Sequence, residues 1–368
     1  MARFIAIFLL MASFSCSHLQ PLNRKLSSGD NGSEKIIFDT DSAFFNDDGA
    51  ALTMLVRSGK FNILGITITA GNHWIPQGTE YMLHVLGLLR STNIPVYLGE
   101  SSPIKNERQK INTLKAEHLL PGQKRKAFLS WTGALSQPDE NHIDVPFGGE
   151  HSSTRPEKEN AVDFIIRSIE THPQQITILA LGPMTNIAAA IKKAPHIQDK
   201  IKRLVFMGGA AFADGNTTPY AEFNFWFDAD AAKFVMASEI PEKVMFGLDI
   251  TNHALLRKSH FDEIVATKTP VSELYNEDLG NRWPGFNKKP TVTSYVWDCL
   301  AAGYLIDADF VTKRQTQYIS VQGGYEREMG RVLVSSEPKP NYTSVQIMLD
   351  LDFERFFKIY KALLTSPH

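Results

Sequence analysis

Lys35-Ile36-Ile37-Phe38 runs straight into Asp39-Thr40-Asp41, and after five more residues Asp47-Asp48-Gly49 opens a segment of helical period. The apolar run reads as a strand. Gly49 to Arg57 reads as a helix with Ala51, Leu52 and Leu55 on one side, and Ile63 to Thr69 as the next strand. This strand–helix–strand unit then recurs. Helices are expected at Thr79 to Leu89, Ala161 to Ile169, Asn186 to Lys193 and Asp228 to Ser238. Strands are expected at Ile94 to Leu98, Ile176 to Leu181, Leu204 to Met207 and Val244 to Leu248. In the segment from Ala161, Val162, Ile165, Ile166 and Ile169 follow the i, i+3, i+4, i+7 spacing of a core-facing stripe. Alternation of this kind over roughly 200 residues predicts an α/β fold: a mostly parallel open sheet flanked by helices, with a Rossmann-like core. Gln317 to Val321, Arg331 to Ser335 and Ser344 to Leu349 add strands at the C-terminal end, and Asp352 to Leu364 closes the chain as an amphipathic helix.

Two intervals break the rhythm and read as long loops, one from about 101 to 158 and one from about 256 to 293. Residues 34–368 are expected to form one domain, with no internal repeat. Charge is nearly balanced, 38 basic against 40 acidic side chains, and no basic stripe is present. Nucleic acid is therefore excluded as a partner class, since phosphate binding needs concentrated positive charge.

The first residues form a separate pattern. Arg3 precedes an apolar run from Phe4 to Met11, and small residues follow at Ala12, Ser13 and Ser15. That is the order of an export signal, too short to span a bilayer. Cys16 stands directly after it, which leaves a lipid-modified Cys16 and a plain cleaved leader both open; Ser13 occupies the place where lipoprotein signals usually carry Leu. Residues 17–33 read as a polar tether. The expected location is outside the cytoplasm, periplasmic or anchored to the membrane only through lipid on Cys16. The second cysteine, Cys299, then has no disulfide partner.

The acids after the first strand suggest a ligand. Strand geometry sends Asp39 and Asp41 to one side, and Asp47 and Asp48 open the following helix, so the four are expected to converge beyond the carboxyl end of the strand. Carboxylates so close repel one another unless a cation sits among them, and a hard ion with oxygen ligands suits them. The other reading is that Asp47 and Asp48 simply complement the helix N-terminus. Residue types alone leave both open.

The pattern Phe38-Asp39-Thr40-Asp41, then Asp47-Asp48, resembles the opening motif of the inosine-uridine preferring nucleoside hydrolase family in a longer-loop form. Gly65-Ile66-Thr67 through Ala70-Gly71-Asn72 is similar to the family's second strand and its Asn. Ala180-Leu181-Gly182-Pro183-Met184-Thr185-Asn186 resembles its central loop. Met207-Gly208-Gly209, Asn216 and Ala221-Glu222-Phe223-Asn224 look like its ribose-binding stretch, and Val296-Trp297-Asp298 like its distal metal motif. The resemblance covers roughly residues 34 to 310, with the motifs in the family's order.

The resemblance implies Ca²⁺-dependent hydrolysis of the N-glycosidic bond of ribonucleosides to ribose and free base. It implies that Asp41, Asp48 and Asp298 ligate Ca²⁺ together with the Leu181 main-chain carbonyl. Asp41 would also be the general base for a water held at the ion. Asp47, Asn72, Asn216, Glu222 and Asn224 would contact the ribose hydroxyls. The substrate is a small nucleoside, no organic cofactor is called for, and a homo-oligomer is left open.

The sequence departs from the family in two places. Ser42-Ala43-Phe44-Phe45-Asn46 replaces a more polar loop and is expected to narrow the pocket. Trp297 stands where many members carry His, as in the purine-preferring branch, which implies stacking on the leaving base. Trp74 or Trp131, with Trp283 ranked behind them, would supply a second aromatic. The competing function is a non-catalytic, Ca²⁺-dependent ribose- or nucleoside-binding surface protein, against which the intact Asp41 argues. A glycosidase of an unrelated sugar polymer finds no support, because suitable residues fill the ribose-contact positions.

Overall fold

The computed structural model describes residues 33–42, 45–104, 143, 145–146, 150–282, 285–324 and 327–366. The leader at residues 1–16 and nearly all of the tether lie outside the described residues, as do most of the 101–158 interval, Ala43, Phe44, Trp131 and Trp283. Among the described residues no helix is long and apolar enough to cross a membrane.

In chain order the strands are β1 (Glu34–Thr40), β2 (Phe61–Ile68), β3 (Val96–Leu98), β4 (Ile176–Ala180), β5 (Arg203–Met207), β6 (Lys243–Phe246), β7 (Leu255–Leu256), β8 (Ser294–Tyr295), β9 (Val311–Val321), β10 (Val332–Ser335) and β11 (Thr343–Leu351). Nine of them form one sheet in the order β10-β9-β11-β6-β5-β4-β1-β2-β3, and β7 pairs with β8 apart from it. From β3 through to β11 neighbouring strands are parallel, as the alternating sequence predicts. The C-terminal strands β9 and β10 are the antiparallel edge.

Both faces of the sheet are covered, which is why the parallel strands read as apolar runs rather than as alternating ones. Ile36 and Phe38 of β1 enter one hydrophobic cluster, whereas Ile37 enters the other. Helices Asn46–Ser58, Trp297–Ile306 and Phe353–Thr365 contribute to the first cluster. Helices Ala161–Thr171, Thr185–Lys193 and Ala229–Met236 contribute to the second.

The chain runs outward from β1 through β2 to β3, then returns to pair β4 on the other side of β1. Strand order therefore reverses at β1 and β4, and the crevice at their carboxyl ends is where open α/β sheets place ligands.

Two expectations need correction. The 256–293 interval is not one long loop: it holds helices Lys258–Val265 and Pro270–Tyr275 and a π-helical turn, Asn276–Asn281. Phe261, Ile264, Val271 and Leu274 are buried there, and Thr269 caps the second helix ahead of Pro270. These helices are too short for apolar periodicity to announce them, and Thr-Pro was the local signal. The strand expected at Val244 to Leu248 ends at Phe246, and Leu248 begins the short helix Leu248–Thr251.

Candidate active site

The acidic groups of the crevice come from four parts of the chain: the end of β1, the start of helix Asn46–Ser58, the N-cap of helix Phe223–Phe227 and the start of helix Trp297–Ile306. Asp47, Asp48 and Asp298 are buried, and each offers a carboxylate oxygen within 4.8 Å of the others. Thr40 Oγ1 donates to Asp48 Oδ1, which ties the strand to the helix. Asp48 Oδ2 is buried with no hydrogen-bond partner among the described residues. Burial, followed by repulsion from Asp41 and Asp47, holds the Asp48 carboxyl well above the usual range. Asp298 is raised likewise, by burial first and then by Asp47, Asp48, Asp41 and Glu222.

Asp41 is buried one residue past β1. Its Oδ2 accepts from the Asn72 main-chain N–H at 2.7 Å, and the Asn72 amide lies 3.4 Å from Oδ1. Gly71 and Gly182 press against it: a Cβ at Gly71 would meet Asp41 Oδ2 at 2.0 Å, and one at Gly182 would meet the Asp41 main-chain N at 2.9 Å. Only glycine allows that approach. Burial, with repulsion from Asp47 and Glu222, pushes Asp41 up to about 8.

The expected convergence of four acids on one point is corrected for Asp39. The chain leaves the strand after Thr40, so alternation stops before Asp41 and the two aspartates part. Asp39 accepts from Thr67 Oγ1 at 2.6 Å and from Asn186 Nδ2 at 2.8 Å, while Asn186 Oδ1 accepts from the Glu100 N–H at 2.8 Å. Asp47, expected at the ribose, stands within the trio of close carboxylates, whereas Asp41, expected as a metal ligand, stands beside it on Asn72.

Glu222 is buried and caps helix Phe223–Phe227. Its carboxylate accepts from the main-chain N–H groups of Gly209 at 2.7 Å, Asn224 at 2.8 Å and Phe225 at 3.1 Å. Those bonds offset the cost of burying the charge. Asn224 Nδ2 donates to the Leu181 carbonyl at 3.0 Å and to the Met207 carbonyl at 3.2 Å, so it joins the ends of β4 and β5. Asn216 is exposed, and its Oδ1 accepts from the Phe223 N–H at 3.0 Å.

Trp297 is half-buried at the first position of its helix, directly before Asp298. Trp74 is buried at the N-cap of helix Ile75–Leu88, two residues after Asn72. From the unusual loop, Phe45 turns into the core edge-on to Tyr275, 6.1 Å between centroids. The Asn46 N–H donates to the buried Asp278 carboxylate at 2.6 Å. Asp278 was not singled out from sequence. Thr67 and Asn186 stood inside recognised motifs without an assigned role, and the two glycines were legible only as motif letters.

Comparison with known proteins decides what this crevice belongs to. The model of the inosine-uridine preferring nucleoside hydrolases matches residues 36–358. The chain belongs to that family. It is therefore a hydrolase acting on the N-glycosyl bond, with a nucleoside as substrate. This nucleoside hydrolase is 31% identical over 328 residues to the pyrimidine-specific ribonucleoside hydrolase RihB of Escherichia coli strain SE11, covering 87% of this chain and 94% of that one. It superposes on the purine-preferring ribonucleoside hydrolase from Gardnerella vaginalis with a TM-score of 0.71 at 25% identity, over 90% and 98% of the two chains. A plant nucleoside hydrolase, PpNRh1, shares the fold, with a TM-score of 0.75 at 22% identity over 91% and 100%.

Proposed function

We propose that this nucleoside hydrolase cleaves ribonucleosides, purine nucleosides fastest, to ribose and free base with Ca²⁺ as its metal. The observation that carries the metal is the buried trio Asp47, Asp48 and Asp298, with Asp48 Oδ2 unpartnered among the described residues. Such a set is costly in isolation and fits a hard divalent cation. All of its donors are carboxylate oxygens, and Cys299 directs its Sγ to the Asp47 carbonyl instead. Asp48 and Asp298 would hold the ion, with Asp41, Asp47 and the Leu181 carbonyl around it. When bound, Ca²⁺ supplies Lewis-acid polarisation and an anchor for vicinal hydroxyls.

The protein's own groups do the rest. Asp41, held by Asn72, takes the proton of the attacking water. Glu222 and Asp47 favour the positive charge that develops on the ribose as the C–N bond lengthens. Asn72, Asn216 and Asn224 orient the sugar. Trp297 supports the purine preference: indole is a poor proton donor but a good stacking surface. The pyrimidine-specific relative favours the opposite preference, and rates on a panel of ribonucleosides, with and without chelator, separate the two. Release of reducing sugar from inosine that survives full removal of divalent ions would overturn the metal assignment.

Residues 1–16 support an export leader and the location stated above. A mature chain beginning at or near Cys16, found outside the cytoplasm by fractionation and mass spectrometry, is the expected result; a cytoplasmic chain retaining Met1 would refute it.

A further inference from the structure

The Trp297 indole does not stand as an isolated ring. Its indole is stacked on the phenol ring of Tyr295, with centroids 4.9 Å apart and planes inclined by 14°. The rings sit on different elements. Tyr295 is in β8 and pairs with Leu255 of β7, whereas Trp297 opens the following helix. Val296 between them is only 2% exposed. The junction is thus pinned to the core by its middle residue, while Tyr295 remains 36% exposed. A large ring left so open yet laid flat on a site residue is not packing the interior.

We propose that Tyr295 is a positioning residue for base recognition: it covers one face of the Trp297 indole, fixes its plane, and leaves the opposite face for the leaving base. The order is Tyr295, Trp297, base. The proposal rests on the reading of Trp297 as the base-facing residue. Its physical content is preorganisation. The ring torsion of a tryptophan is broad when nothing holds it, and ordering that ring at the moment of binding weakens association. Tyr295 removes this cost beforehand and also decides which side of the indole is open. A bicyclic purine, which overlaps more of the indole, gains more from the fixed plane than a pyrimidine does.

The test compares wild type, Tyr295→Phe, Tyr295→Ala and Trp297→Ala on inosine and on p-nitrophenyl riboside. The latter's leaving group departs as a stabilised phenolate and needs no protonation by or near the ring. In Tyr295→Ala the ratio of kcat/KM for inosine to that for the nitrophenyl riboside should fall about three- to tenfold, the range a stacked aromatic pair supplies. In Tyr295→Phe, which keeps the stack, the ratio should stay within about twofold of wild type. An unchanged ratio in Tyr295→Ala, with a fall in Trp297→Ala, overturns the proposal and leaves the reading of Trp297 standing. An unchanged ratio in both variants overturns that reading as well. Equal losses on both substrates in Tyr295→Ala, or phenylalanine behaving like alanine, also overturns it. The first would mark a general structural role and the second a role for the hydroxyl.

Discussion

The main-chain N–H of Asn72 donates to Asp41 Oδ2 at 2.7 Å, and the absence of a side chain on the glycine just before it leaves room for that oxygen. A methyl group at Gly71 would lie 2.0 Å from the same atom. Gly71→Ala should therefore displace the Asp41 carboxylate without removing any charge. Misplacement of a catalytic group by about 1 Å costs on the order of 100-fold, so kcat should fall by about that much. Circular dichroism should show the fold retained. Asn72→Ala keeps the main-chain N–H and should cost less; equal or smaller loss in Gly71→Ala would show that Asp41 is not the group whose placement matters.

Asp41→Asn should leave nucleoside binding largely intact and lower turnover by several orders of magnitude. Asp48→Ala and Asp298→Ala should lose metal and substrate affinity together. Calorimetric titration with Ca²⁺ and steady-state rates check both. Full activity of dialysed protein in excess EDTA would remove the basis for distinguishing these variants.

The chelated protein should lose stability as pH rises. Burial raises Asp39 to about 7, and burial with repulsion from Asp47 and Glu222 raises Asp41 to about 8, from an ordinary value of 3.8. Between those limits the folded state holds more protons than the unfolded chain. Stability is therefore complete below about pH 4 with respect to these groups, and declines through about pH 7–8. Denaturant unfolding in EDTA from pH 5 to 8 should show the decline, and excess Ca²⁺ should flatten it. In EDTA, Asp298→Asn should be more stable than wild type, since it removes a carboxyl whose ionisation is opposed by burial and by Asp47, Asp48, Asp41 and Glu222. With Ca²⁺ the order should reverse. A variant less stable under both conditions would show that Asp298 is held by protein groups alone.

Ground-state stacking alone is worth about tenfold at most, so if Trp297 also assists proton uptake by the purine ring, Trp297→Ala should lower the rate on inosine, adenosine and guanosine by more than that. It should barely alter the activity on uridine or cytidine. Equal wild-type rates on inosine and uridine would assign Trp297 to packing and align the specificity with that of the pyrimidine-specific relative.

Much of the architecture was legible in advance because parallel strands covered on both faces leave continuous apolar runs, as in Ile36-Ile37-Phe38 and Ile176–Ala180. Helices long enough to show a stripe, such as Ala161–Thr171, were equally plain. The helices between residues 258 and 275 were not, because they are only 8 and 6 residues long and bury only a few side chains each. The open ring of Tyr295 gave no signal at all, since nothing in a Ser-Tyr-Val-Trp-Asp string says that two rings will lie face to face.

By itself the sequence determined the family, the strand-and-helix alternation and the set of acids available to the crevice. These follow from local residue types and from motifs in a fixed order. Only the tertiary structure decided how the acids are divided. Where β1 ends, which helix N-terminus faces it and how closely Gly71 and Gly182 approach are matters of packing between segments far apart in the chain. For that reason Asp39 pairs with Asn186, Asp41 rests on Asn72, and Asp47 and Asp48 meet an Asp298 that lies some 250 residues further along the chain.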